Sequence, residues 1–496
     1  MRRLLAAAIS LCLLAAAPGC GGDGASSGPL EAALSYVPGR TPFVVAIDTD
    51  LEGDQYKSLQ AILDRFPGGV KLDDLFAGQL DGGSGGVSFE KDVKPLLGNP
   101  FVVSATDVTS FLSDTDDDFV AVLEVKDTEA LGRLIDKTKP DKQGQVAGAT
   151  VYDDDGTVFA VAEDTVVFAG SRERLEAALK RADAGEGMDP SSFETGLEGL
   201  PEEALARAFF DVRALLDQDP GAQNARKVEW VRALRTLGMT ASVEDDSADI
   251  EFNLKADGDL SDEDLPLAAG DSAPSVLQRE GEIGIGVRDP SQIVTFFESA
   301  LGAVEPQTFG DYQAGKQAIS QRYGVDLDKD LFGQLTEDMS VSVAIDGSFG
   351  ARAEVKDPKA FADTVDKAAR ALPQLGSGLG VTRVRRVGEL YEGQLADGRR
   401  IFFGMRNGAF VVASDRARAL ELGTQQPTEV DGAEGSLVMA ADAEQVGLRL
   451  IQQLGPQLGA GGVFGGGLFA RPLDRLSGSA SSSTDGMRGR FSLTLD

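Results

Sequence analysis

The sequence reads as an α+β protein, a tandem duplication in which each copy is a mainly antiparallel β-sheet with helices packed on one face. Three observations lead there. Six sequence landmarks recur in the same order at nearly constant separation. Each has the pattern of a strand, a hairpin or a strand-to-helix junction. The 496 residues, 42% hydrophobic and 26% charged, are too many for one ordinary core and suit two.

First in the chain, the apolar run PFVVAID (Pro42–Asp48) has a counterpart in GEIGIGVRD (Gly281–Asp289). FEKDVKPLLGNPFVVSATD (Phe89–Asp107) is matched by LDKDLFGQLTEDMSVSVAID (Leu327–Asp346). The third pair shares the tetrapeptide EVKD, at Glu124–Asp127 and Glu354–Asp357. The run before it in the first copy, FVAVLEV, alternates as a half-buried strand does. Asp127 and Asp357 then stand at helix N-caps, and Pro358 takes the first helical position, where its missing N–H costs nothing. Leu131, Leu134 and Ile135 keep the spacing of one helix face, as do Phe361, Thr364 and Val365.

Fourth come two hairpins, turned at Glu163-Asp164 and at Asn407-Gly408, with Ser171 and Asp415 placed to cap the following helices. ARAFFDVRALL (Ala206–Leu216) corresponds to SLVMAADAEQV (Ser436–Val446). The last pair, ASVEDDSADIEFNL and ASSSTDGMRGRFSL, predicts a closing hairpin in each copy. The separation is 238 residues from Asp92 to Asp330, 230 from Asp127 to Asp357, 244 from Ala169 to Ala413 and 239 from Phe252 to Phe491. Such constancy marks one fold written twice, over residues 34–257 and 276–496, with an acidic linker at 258–275.

The N-terminus has a different character. Arg2-Arg3 precede an apolar stretch from Leu4 to about Ala17, too short for a comfortable membrane span and suited to a secretory signal over residues 1–19. This segment resembles a bacterial lipoprotein signal, which implies that Cys20 is acylated and begins the mature chain, with residues 20–33 as a flexible tether. Of the two cysteines, Cys12 lies in the discarded signal, so Cys20 has no partner for an intramolecular disulfide.

Composition narrows the function. A net charge of −33 repels phosphate backbones, so nucleic acid is not an expected partner. The absence of histidine removes the usual general base, the Ser-His-Asp and Cys-His systems, and most zinc sites. No cofactor is expected, and a non-enzymatic role is.

Two groups of residues are candidate contacts. DLDKDLFGQLTE places Asp326, Asp328, Asp330 and Glu337 at positions 1, 3, 5 and 12 of a calcium-loop spacing. Leu331 stands where that loop needs glycine, and helix capping explains the same letters. The glycine-rich LGAGGVFGGGLFARP (Leu458–Pro472) carries Val463, Phe464, Leu468 and Phe469, and the corresponding part of the first copy carries the single tryptophan, Trp230. Large apolar groups on a flexible segment can form a lip over an apolar ligand or partner.

The opening LSYVPGRTPFVVAIDTD (Leu34–Asp50), the DKDLFGQL segment and the duplicated plan together resemble the bacterial envelope lipoproteins grouped as domain of unknown function 3352. That family has no established activity, so the resemblance implies export and no functional residues. The sequence therefore leads to an extracytoplasmic binding or scaffold protein, anchored in the cell membrane through its N-terminal lipid, whose partner is an envelope protein or an apolar ligand. The alternative is a carrier or sensor for an apolar or lipid ligand held between sheet and helices.

Overall fold

The computed structural model describes residues 27–81, 86–107, 118–154, 156–219, 221–335, 337–375, 381–451 and 468–496. The chain divides into two compact units, one formed by residues up to 220 with 235–255, the other by 221–234 with 256–494. The expected signal, Cys20, Val463 and Phe464 lie outside the described residues.

The first unit contains β1 (Phe43–Ile47), β2 (Phe101–Ala105), β3 (Phe119–Glu124), β4 (Asp141–Val146), β5 (Ala149–Asp154), β6 (Thr157–Ala162), β7 (Thr165–Ala169), β8 (Ala206–Asp211), β9 (Leu234–Val243) and β10 (Ser247–Ala256). Their spatial order is 4-5-6-7-3-2-1-8-9-10. The second unit repeats this with ten added to each number. It contains β11 (Glu282–Val287), β12 (Met339–Ala344), β13 (Phe349–Glu354), β14 (Val381–Val387), β15 (Leu390–Leu395), β16 (Arg400–Arg406), β17 (Ala409–Ala413), β18 (Leu437–Asp442), β19 (Leu473–Ser483) and β20 (Gly486–Leu495). They run 14-15-16-17-13-12-11-18-19-20.

The repetition reaches individual rungs. One row across the first sheet reads Ala208, Val45, Val103, Ala121, Phe168, Phe159, Tyr152. In the second sheet the same row reads Met439, Ile285, Val341, Ala351, Val412, Phe403, Tyr391. Tyr152 stacks on Phe159 with ring centroids 5.2 Å apart, and Tyr391 on Phe403 at 5.6 Å. The duplication is one of hydrogen-bond register as well as of sequence.

Caps are duplicated too. Asp127 accepts from the Ala130 amide and Asp357 from those of Lys359 and Ala360. Ser171 accepts from Arg174, and Asp415 from Arg418. The expected hairpin turns form, with Glu163 and Asn407 in the left-handed region that such turns require.

The expectation of helices on one face is corrected. In the first unit Val44, Val102, Val122 and Val167 meet the helices Ser27–Leu34, Arg172–Ala184 and Pro190–Gly196. Val103, Ala121, Val166 and Phe168 meet the helix Thr128–Thr138 on the other face. In the second unit the helix Arg416–Leu422 covers Phe402 and Val411, while Pro358–Leu375 covers Phe403 and Val412. The signal was in the runs FVVSA and TVVFA, every residue of which is buried. Strands covered on both faces are continuously apolar, whereas strands with one wet face alternate.

Phe159 and Phe361 have no exposed area. Phe159→Ala and Phe361→Ala are each expected to destabilise the protein by about 3–5 kcal/mol, read from denaturant unfolding.

Candidate functional site

The acids of the calcium-like spacing hold backbone. Asp326 caps a short turn, its carboxylate accepting from the amides of Asp328 at 3.1 Å and Lys329 at 3.2 Å. Asp330 accepts from the Asp326 amide at 3.0 Å, and its register-mate Asp92 accepts from the Ser88 amide at 2.6 Å. Asp328 pairs with Lys316, and Glu337 is exposed. Among the described residues no three such side chains come together as a metal site. The acid at position 330 thus repeats a turn-fixing device of the first copy.

The proposed apolar lips part ways. Trp230, on the short helix Glu229–Ala233, is only 6% exposed and belongs to the core along with Val228 and Ala233. Leu468 and Phe469 are 44% and 46% exposed.

A surface that the sequence reading passed over lies on the helices Pro290–Val304 and Pro306–Tyr323. Proline at the first position of each helix fits a turn whose amides need no partner. Their inward side is ionic. Lys316 is buried and donates to Glu298 at 2.9 Å as well as to Asp328. Tyr312 donates to the same Glu298 oxygen at 2.8 Å, and its ring lies 5.2 Å from the Lys316 ammonium. Burial, then the bond to Glu298, raises the Tyr312 phenol well above its ordinary range. Burial pulls Lys316 down, but its bonds to Asp328 and Glu298 outweigh that and raise it overall, so it stays charged.

The exposed positions of Pro290–Val304 carry no charge; besides Thr295 and Ser299 they include two large apolar side chains. Ile293 and Phe297, one helical turn apart, are 38% and 56% exposed, with Leu301 and Val304 half-buried beyond them. Glu298 is the single charged residue in PSQIVTFFESALGAV, and it is engaged inward. On a chain of net charge −33, this helix presents an uncharged face. The usual order of a surface helix is reversed, with ions inside and a phenylalanine outside. A helix of fifteen residues with one charge was the available signal.

Buried charge also marks the sheet. Arg418 reaches down from the third position of its helix to Glu282, both nearly inaccessible, with Nη1 donating to Oε1 at 2.9 Å and Nη2 bonding Oε2 and Ser342. Its register-mate Arg174 pairs instead with Asp118, which is 6% exposed although it closes the acidic run SDTDDD. Beside Glu282 lies a cleft of about 330 Å³ walled by Arg279, Glu280, Asp442, Asp474 and Arg475. A second, of about 420 Å³, contains Asp363, Arg386, Arg406 and Tyr391, whose hydroxyl donates to Asp366 at 2.7 Å. Both have polar walls. Asp48, Glu124 and Asp338 are pushed up, in each case chiefly by burial.

Breaking the Arg418–Glu282 pair from one side leaves a buried charge without its partner. Arg418→Ala is expected to cost about 3–5 kcal/mol, and adding Glu282→Leu to Arg418→Met should recover most of it, as measured by denaturant unfolding.

The family model described as "Protein of unknown function (DUF3352)" matches residues 4–372. No curated protein matches the sequence. Among solved structures, crystal form III of TP0453 shares 10% identity at a TM-score of 0.28, covering 46% of this chain and 82% of that one. Crystal form I of TP0453 shares 12% identity at a TM-score of 0.26, covering 46% of this chain and 80% of that one. The family match spans most of the chain, including the first sheet and the helical pair of the second unit, and on that ground the chain belongs to the DUF3352 family of proteins of unknown function.

Proposed function

We propose that this chain is a non-enzymatic binding or scaffold module, tethered by a lipid on Cys20 to the extracytoplasmic face of the cell membrane. Its recognition surface is the uncharged face of the helix Pro290–Val304. The observation that carries this reading is the exposed pair Ile293 and Phe297 on a helix whose opposite side is fixed by Lys316, Glu298 and Asp328. A side chain held outward by an ionic network behind it is preorganised for contact, and exposed aromatic groups are the residues on which interfaces concentrate their binding energy. The two clefts described beside the second sheet have polar walls. This supports surface recognition over the enclosed carriage of an apolar molecule. No helix among the described residues is long and apolar enough to cross a membrane, and the resemblance of residues 1–20 to a lipoprotein signal is what supports attachment through the N-terminus.

Native mass spectrometry with lipid extraction on the purified protein should return the chain without a carried ligand; a co-purifying apolar molecule would replace this reading with the carrier. Cys20→Ser should release the protein from the membrane fraction and remove the added mass of the acyl groups. Ile293→Ser with Phe297→Ser should leave unfolding stability within about 0.5 kcal/mol, because both side chains are exposed. The same pair should abolish photo-crosslinking of a partner from position 294. Retained crosslinking would move the recognition surface elsewhere.

A further inference from the structure

Within the second unit, β14 pairs with β15 alone among the described residues and so forms an open edge of its sheet. In an antiparallel strand alternate residues direct their N–H and C=O away from the neighbour they already have. On an edge those groups meet no partner strand. Among the described residues, no backbone-to-backbone bond joins residues 382–386 to anything beyond the β15 ladder.

The charge on this edge is unlike that of the chain. VTRVRRV, the whole of β14, carries three arginines and no acid, on a protein of net charge −33. Arg383, Arg385 and Arg386 are all exposed. Arg385 pairs with Glu392 at 2.7 Å, while Arg383 and Arg386 join no ion pair among the described residues. Val384 packs with Phe361 beneath the helix Pro358–Leu375. Side chains alternate across a strand, so Arg386 emerges on that helical face and Arg383 and Arg385 on the other. The guanidinium of Arg386 lies 5.7 Å from the centre of the Tyr391 ring.

Charge on an edge strand ordinarily guards against pairing, and like charges do keep two basic edges apart. They offer no guard against an acidic strand. The equivalent edge of the first unit, β4, reads DKQGQV, with one acid, one base and no arginine. Guarding an edge in this fold therefore does not require three cations. The bulges differ as well. In β4 the register shift lies between Lys142 and Gly144 and leaves three residues beyond it in register. In β14 it lies between Val381 and Arg383, so five consecutive residues, Arg383 to Val387, keep an unbroken register. The second edge is the more regular template, and it is the basic one.

We propose that β14 is a docking edge for an acidic, extended segment of another protein, which joins the second sheet as a further strand. Main-chain hydrogen bonds to the outward groups of β14 supply affinity. Carboxylates on successive residues of the guest meet Arg386 on one face and Arg383 and Arg385 on the other, which supplies selection. The remaining surface, strongly acidic overall, repels such a segment and confines it to the arginines. This edge and the uncharged helix face are different elements, so either can fail without the other.

Fluorescence anisotropy of a short labelled peptide of glutamate, valine and threonine, added to the full chain in detergent micelles, tests the proposal. Binding should weaken as salt rises, and hydrogen exchange at residues 383–386 should slow when the peptide is present. Arg383→Glu with Arg386→Glu should weaken binding about tenfold or more while leaving the circular dichroism unchanged. The same peptide with its central amides N-methylated keeps every charge but cannot form the ladder, and it should not bind. If the methylated peptide binds as well as its parent, the arginines are a general anion patch and the proposal falls. A parent peptide that fails to bind at low ionic strength overturns it too, as does a chain that pairs with itself and leaves the peptide free.

Discussion

A strand buried on both faces has no solvent side onto which it can slip. Moving β2 or β7 by one residue would exchange the side chains facing one helix layer for those facing the other, and each layer is packed to its own shape. Val102 belongs to the cluster that contains Leu34 and Phe193, while Val103 belongs to the one that contains Leu131 and Leu134. Two-sided burial therefore locks hydrogen-bond register. The second unit keeps that register from Met439 through Tyr391, rung for rung, although few of the side chains along it are the same. The backbone grid outlasted the residues that occupy it.

Within a fixed grid, change is confined to what each face can absorb. On the face covered by the helix Ser27–Leu34 in the first unit, Val44 and Ala46 meet helical side chains. At the same rungs the second unit has Gly284 and Gly286, because residues 275–277 lie directly on the strand; a Cβ on Gly284 would stand 2.5 Å from the Leu277 carbonyl oxygen. That same face gives Arg352 where the first unit has Val122, and Ser340 where it has Val102. Buried charge is costly unless paired, and Arg352 and Arg418 each have a carboxylate partner, Glu354 and Glu282. The two copies have diverged in the polarity of one interior layer while sharing every strand pairing described.

The repeat, the hairpin turns and the helix caps were legible because each depends on local chemistry, an Asp or Ser before a helix and Asn-Gly at a tight turn. Two-sided burial was misread because FVAVLEV was read as alternating, whereas six of its seven residues are apolar and, like its neighbours FVVSA and TVVFA, it buries consecutive side chains. Trp230 was expected at a lip because it is a large apolar group at the place corresponding to the glycine-rich segment 458–472, but the tertiary fold buries it. Asp118 and Asp249 sit in the acidic runs SDTDDD and EDDSAD, yet the structure buries both, the first against Arg174 and the second beside Ser247. Their partners lie on other elements or become near only after the strand forms. The face bearing Ile293 and Phe297 was missed for a related reason. An apolar helix is ordinarily assigned to the core, and only the ionic network behind it shows which way the apolar side turns.

Tethering changes what a weak surface can do. A protein held to a membrane by an N-terminal lipid meets partners and other copies in two dimensions, and confinement raises effective concentration without adding a contact. Under the proposed lipid tether, an apolar stripe of two exposed side chains would not have to bind tightly in dilute solution. Recognition by the uncharged helix face would rest on apolar burial and so change little with ionic strength, which separates it in kind from the buried ion pairs that fix the helix from behind.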